Sequence, residues 1–409
     1  MDEFSANELR LEKFVCNVCR GVARLCKLNT CPFYREVLRE AAISRLSGGS
    51  FYGPSPPTII VGEKNYPRVW AGTAVSLTEQ PQPGLLEEPR KWLDASLEQL
   101  LKIRLSLFYG RVKVDVRSAA QRGRLLEVVQ HSSASSKPVD IEVVLGGSPV
   151  VRPGFGVRMA PHGPSARVED VKLVGNISIP RKVESFIDDP FVSAEEAVQT
   201  LYVYGVDEYY LARVFSSGLL GRPADRRLVP TEWSITAVDD ILGRKLYHKV
   251  RDYNIISEYR LHSHGALENH ANIILTPTPW MFELLEGWLK HTGTSPYADH
   301  ELLKPRKEYA ENTGGAYYAV RFAVLNHLTM RREQAGALVF FEIGPGWIPL
   351  GVWRFREIVR KALEKPCERF HTLEEALNAV RVRLKIPLQK YLYKSRLIDF
   401  LAKQQRLTP

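Results

Sequence analysis

No apolar run in this chain reaches the roughly 18 residues that a membrane-spanning helix requires. The N-terminus, Met1-Asp2-Glu3-Phe4-Ser5, is acidic and lacks the basic start and apolar stretch of a signal peptide. A cytoplasmic location is therefore expected. Cysteine is scarce, five in 409 residues, which excludes a disulfide-built scaffold. There is no internal repeat and no low-complexity tract, which argues against a solenoid or a disordered chain. No phosphate-loop, dinucleotide or hydrolase motif is present, so the commonest nucleotide chemistries leave no signature.

What is there is an ordinary folded balance, 44% hydrophobic and 25% charged, long enough for one large or two medium domains. The net charge is +10, and its placement says more than its total. Residues 351–409 hold fourteen Lys/Arg against six Asp/Glu, whereas residues 51–350 are balanced at 34 of each. A neutral body with a basic C-terminal part fits an electrostatic footprint for nucleic acid as well as a merely solubilising helical surface.

Four of the five cysteines fall within sixteen residues, as Cys16-Asn-Val-Cys19, Cys26 and Cys31. Four thiolates at such spacing suit tetrahedral Zn²⁺, and the first pair can reach one ion from a single turn. Gly21 allows the chain to reverse between the pairs, and Arg20, Arg24 and Lys27 offset the thiolate charge. An iron–sulfur cluster also takes four thiolates; the short loops favour zinc.

The pattern beyond them is mixed, which predicts an α+β fold: a small zinc module with its helix (1–47), a mixed core (48–350), a basic helical region (351–388) and a helical tail (389–409). Helices are expected over 33–45, 93–108, 194–204, 207–215, 280–291 and 354–363. Ser193-Ala-Glu-Glu196 reads as a capping box. Strands are expected at 58–61, 68–71, 111–116, 255–261, 272–276 and 338–343, with a Pro/Gly connector over 81–89 and an exposed loop over 146–164.

Three places carry candidate chemistry. The stretch 226–240 packs Arg226, Arg227, a Pro-Thr turn, Glu232 and Trp233, and ends on Asp239 and Asp240. The apolar period that follows puts those two carboxylates at a helix N-terminus, where the dipole favours negative charge. The other reading is a dyad that holds Mg²⁺ or Mn²⁺ or shares a proton. His262 and His264, flanked by Glu268 and His270, share one strand face and could form a metal pair, although a lone His-x-His is common by chance. Gly314-Gly315 opens a helix whose bare N–H groups could receive a phosphate, or it is a close-packed turn.

Laid out together, these blocks resemble the archaeal Nre DNA-repair family. The resemblance rests on the Cys cluster, Pro54-Ser-Pro-Pro57 with Val61-Gly62, residues 226–240, Gly314 through Arg321, and Pro349 through Arg354 with Glu357 and Arg360. It implies a zinc-containing protein of DNA damage repair that binds the sliding clamp PCNA through its C-terminal tail. One departure is Glu232, where the family pattern has Arg; an acid there puts direct DNA contact in doubt.

Clamp ligands follow Gln-x-x-aliphatic-x-x-aromatic-aromatic. Here Lys394 stands for the Gln, Leu397 is the aliphatic, Phe400 the first aromatic, and Leu401 replaces the second. Leu397 and Phe400 form one apolar face of a single turn, which fits a clamp pocket if the tail is exposed, or the chain's own core if it is not. The leading reading is a DNA-repair accessory protein on the clamp, binding DNA through residues such as Arg226, Arg227, Arg321 and Arg354. Two others stand beside it: a metal-dependent nuclease or nucleotide-processing enzyme using Glu232, Asp239, Asp240, His262 and His264, and a scaffold linking the clamp to other repair proteins.

One Zn²⁺ per chain is expected. Elemental analysis of Cys19→Ser and Cys31→Ser should show the metal lost, and full zinc in both would end the assignment.

Overall fold

In the computed structural model, residues 49–78, 88–121, 123–148, 163–289, 295–344 and 351–403 are described. The cysteine cluster, the helix expected over 33–45 and most of the 81–89 connector and 146–164 loop lie outside them. The described residues form two compact units divided between Ile241 and Leu242, with Gly351 assigned to the first. The sequence reading drew one core over 48–350; the compact units divide within it. Both units are α+β. No helix among the described residues is long and apolar enough to cross a membrane.

The first unit contains β1 (Ser50–Ser55), β2 (Ile60–Val61), β3 (Arg68–Ser76), α1 (Pro89–Trp92), α2 (Leu97–Leu105), β4 (Leu107–Asp115), α3 (Arg124–Ala134), β5 (Val139–Leu145) and β6 (Ser165–Leu173). It continues with α4 (Arg181–Asp188), α5 (Ala194–Val203), α6 (Glu208–Ser216) and the start of α7 (Thr231–Val250). The six strands make one sheet in the order β1-β5-β6-β4-β3-β2, with β4 and β6 parallel. The helix expected over 93–108 is shorter, because Leu107, Tyr109 and Val112 go into β4. Alternation decides the faces. Phe51, Phe108, Val112, Ile141, Val143 and Val168 form one core, and Val69, Ala71, Val116, Leu126, Val129 and Leu228 a second. The helices are tied down by buried polar groups: Gln130 Nε2 donates to the carbonyls of Ala119 (3.0 Å) and Ser217 (2.9 Å). Ser193 caps α5 as its sequence implies, accepting from the Glu196 N–H.

The second unit holds β7 (Asn254–Ile255), β8 (Tyr259–Ala266), β9 (Asn269–Thr276), β10 (Phe282–Trp288), β11 (Tyr297–Glu301), α8 (Gly315–Arg331), β12 (Glu333–Gln334), β13 (Gly336–Ile343) and α9 (Trp353–Glu364). Then come β14 (Glu368–Phe370), α10 (Leu373–Arg381), α11 (Leu388–Lys394) and α12 (Arg396–Lys403). Its sheet runs β11-β10-β13-β9-β8-β14. Helices α8 and α9 cover one face, where Phe282 meets Tyr317 and Phe341 stacks on Phe355 at 4.1 Å. Helices α10 to α12 cover the other, burying Leu285, Leu338 and Phe340 against Ala376, Tyr391 and Leu397.

Two expectations fail here for one reason. Within the helix expected over 280–291, Phe282–Trp288 form strand β10 instead, although Glu283 and Glu286 sit three apart as on a helix surface. Both glutamates are buried, on opposite faces of the strand. Leu397, expected to be exposed for a clamp, is fully buried, while Phe400 is half-buried. The Glu283 carboxylate accepts from the backbone N–H groups of Arg396 (2.8 Å) and Leu397 (3.3 Å) and from the Ser395 hydroxyl, so it sits on the opening of α12. On the neighbouring strand β13, Glu342 does the same for the entry to α11. It accepts from the N–H groups of Lys385 (2.9 Å) and Ile386 (2.8 Å) and from the Tyr391 hydroxyl (3.2 Å). Helix starts leave N–H donors without partners inside the helix, and a carboxylate is their strongest acceptor.

Burial pushes the Glu283 carboxyl up to about 7, against the hydrogen bonds from Ser395, Arg396 and Leu397, which lower it. A carboxyl raised on folding binds protons the unfolded chain has released, so its contribution is full below about 4.5 and is lost as pH rises through about 7. Stability against urea should therefore fall between those values, and Glu283→Gln should flatten that decline. An unchanged slope in the variant would contradict the burial of Glu283.

Candidate functional site

The central stretch forms the first part of α7. The helix begins at Thr231, two turns earlier than the sequence reading, and Thr231 Oγ1 accepts from the Val61 N–H at 2.9 Å. Glu232, not Asp239 or Asp240, therefore holds the acidic place in the first turn. Asp239 is buried and Asp240 half-buried in mid-helix. Adjacent helical residues point about 100° apart, and Glu232 lies about 10 Å from Asp239 along the axis at 1.5 Å per residue. These three carboxylates do not converge on one ion. Arg226 is buried as a clamp on its own loop, with Nε donating to the Gly221 carbonyl (2.8 Å) and a terminal nitrogen to that of Ile187 (2.5 Å). Arg227 is exposed and donates to the Ala224 carbonyl at 3.0 Å.

His262 and His264 share a face of β8, but each is committed elsewhere. His262 is buried edge-on to His327, with ring centroids 5.8 Å apart. Burial lowers both rings, His327 to about 4. His264 Nδ1 lies 2.8 Å from Lys365 Nζ, and burial followed by that ammonium lowers its pKa too. A cation already beside the imidazole disfavours a metal. Glu268, with Leu267, takes a positive φ and forms the turn between β8 and β9, and His270 Nδ1 pairs with Asn272 at 3.1 Å. Among the described residues no three His, Cys, Asp or Glu side chains are placed to hold a metal ion.

The Gly314-Gly315 helix start already has its anion. Asp299 on β11 accepts from the Thr313 N–H (2.7 Å) and hydroxyl (2.9 Å), from Asn312 (3.1 Å), and pairs with Arg306 at 3.3 Å. Gly314 takes φ +55° to start the helix, and the Ala316 and Tyr317 N–H groups are satisfied by the Thr313 and Gly314 carbonyls. A phosphate would have to displace a buried carboxylate. Arg321, nearly two turns on, is buried in an ion pair with Glu301 at 2.7 Å, and Trp280 Nε1 donates to the same oxygen at 2.6 Å. Arg354 is buried as well, beside Glu286. Burial pushes the Glu286 carboxyl up to about 7 against the Arg354 charge, and drops Arg354 to about 10. Breaking such a pair strands a buried charge, so these groups hold α8 and α9 on the sheet rather than face a solvent ligand.

The sequence reading missed the residues that organise this unit: Glu283, Glu286, Asp299, Glu301 and Glu342. One signal was available. Glu283, Glu286 and Glu342 sit in short stretches otherwise rich in large apolar residues, where an unpaired acid would be costly; Asp299 and Glu301, in Tyr-Ala-Asp-His-Glu, carry no such signal.

At the tail, Lys394 is exposed, and Leu401 joins Phe400 at the margin of the core. Phe400 lines an open groove of about 500 Å³ with His300, Leu302, Arg396, Asp399 and Lys403.

The family described as Archaeal Nre, N-terminal, matches residues 25–294, and Archaeal Nre, C-terminal, matches 301–409. Their boundary falls between β10 and β11, which pair in one sheet, so it does not coincide with the division between the compact units. The chain is 36% identical to DNA repair protein NreA of Archaeoglobus fulgidus, over 90% of this chain and 93% of that one. It is 34% identical to DNA repair protein NreB of the same organism, over 94% and 96%, and 32% identical to DNA repair protein NreA of Haloferax volcanii, over 86% and 87%. No solved structure matches. With both family regions matched in order along almost its whole length, the chain belongs to the archaeal Nre family.

Proposed function

We propose that this chain acts in DNA damage repair, as a zinc-bearing accessory protein that binds the sliding clamp and DNA. The observation that carries the reading is the similarity along nearly the full length to three proteins each named a DNA repair protein. Zinc rests on the spacing of Cys16, Cys19, Cys26 and Cys31. DNA contact rests on the basic C-terminal part and on exposed cations such as Arg227; Arg226, Arg321 and Arg354 are spent inside the protein. The nuclease reading is the weaker one, because Glu232, Asp239 and Asp240 do not share a face within reach of one ion.

Clamp binding through the tail has to begin from a docked helix. Phe400, Leu401 and the exposed Lys394 are reachable as folded, but Leu397 enters a clamp pocket only when α12 leaves Glu283. The intrinsic Kd is then divided by the small undocked fraction, which weakens binding in proportion. Calorimetric titration of the cognate clamp should show weak binding that Phe400→Ala/Leu401→Ala reduces about tenfold or more, as for an anchor residue. Glu283→Gln, which loosens the dock, should bind more tightly than the native chain. Equal binding by all three proteins would remove the tail from clamp recognition.

A further inference from the structure

The outer face of the first unit's sheet carries a group of side chains that neither core uses. Residues two apart on a strand share a face, and the register aligns Arg68 with Asp115, Trp70 with Lys113, Gly72 with Arg111, and Arg111 with Arg167. The intervening residues, Val69, Ala71 and Val112, go to the core on the other side. Among the described residues, helix α2 covers this outer face towards Ala74, Leu107 and Tyr109, where Ile103 packs. Around Trp70 the chain presents four cations and one carboxylate, with Arg68, Lys113 and Arg167 exposed and Trp70 and Arg111 half-buried.

Three details make this more than a charged patch. The Arg111 guanidinium lies over the Trp70 ring, 5.1 Å from its centroid. Arg111 Nε is shielded from solvent and has no hydrogen-bond partner among the described residues. Gly72, opposite Arg111, admits no side chain, since a Cβ there would meet the Gly110 carbonyl oxygen at 1.9 Å. The Gly110 backbone fills the space a Cβ would take, so the two strands approach closely and no side chain rises from β3 opposite Arg111.

We propose that this face binds single-stranded DNA, with a base stacking on the Trp70–Arg111 pair and phosphates on Arg68, Lys113 and Arg167. A flat sheet surface combining an aromatic ring with a row of cations matches a polynucleotide, which alternates π-faces and negative charges along its length. The choice of DNA rather than RNA rests on the repair reading above; the site itself rests on the sheet.

The test is fluorescence anisotropy of labelled oligothymidylate with the full chain, repeated over a salt series, with circular dichroism melting as the fold control. Trp70→Leu should weaken binding about tenfold, the loss expected of one stacking platform. Arg68→Gln/Lys113→Gln/Arg167→Gln, all exposed positions that leave melting unchanged, should lower the salt slope by about two, at about 0.7 per phosphate contact on a single strand. Lys390→Gln/Lys394→Gln in the basic C-terminal part, the other candidate DNA surface, should lower affinity and slope less than the triple variant does. Native affinity and slope in the triple variant would overturn the proposal, and if the C-terminal pair alone lost binding, the repair reading would stand without this site. No binding of single-stranded or duplex DNA by the native chain would sink both. Tighter binding of oligouridylate than of oligothymidylate would overturn the assignment to DNA.

Discussion

The second unit depends on carboxylates buried in its sheet. Glu283 and Glu342 stand on neighbouring strands and face the same side; Glu283 accepts the first N–H groups of α12, and Glu342 those of Lys385 and Ile386 in the segment leading into α11. A buried carboxylate is costly alone, and a helix start is costly alone; joined, each offsets part of the other's penalty. On the opposite face Glu286, Asp299 and Glu301 do the equivalent work with Arg354, the Thr313–Gly314 turn and Arg321. The same acids thus fix helices on both sides of one sheet, and their partners lie as far as 114 residues away in sequence.

That long reach explains what could and could not be read from the sequence. Locally encoded features were legible: the Ser193 cap, strand 338–343 and the helix at 354–363 all rest on neighbours within a few residues. Where a polar residue answers to a distant partner, its local meaning is ambiguous. Glu283 and Glu286 mimic a helix surface until Ser395 and Arg354 are brought to them. Leu397 and Phe400 fit a free recognition turn until Leu285 and Tyr391 are placed against that face. Gly314-Gly315 reads as an empty anion site until Asp299 arrives.

For function the consequence is a redistribution of candidates. The arginines with the most suggestive sequence context, Arg226, Arg321 and Arg354, are interior, while cations without any motif, Arg68, Lys113 and Arg167, are exposed on a sheet face. Chemistry that needs solvent access follows exposure rather than motif. The partner contacts proposed above therefore fall to surfaces, while the ionic interior sets how firmly the tail is held.

The C-terminal helices are bolted to the sheet in the free protein. Hydrogen exchange of the Lys385, Ile386, Arg396 and Leu397 amides reads it directly, since these four N–H groups are the ones Glu342 and Glu283 accept. The account predicts exchange as slow as that of the strand amides of Leu338 and Phe340, released only by unfolding of the unit. Exchange at the rate of an open peptide at Arg396 and Leu397, with the strands still protected, would show a tail that is not held.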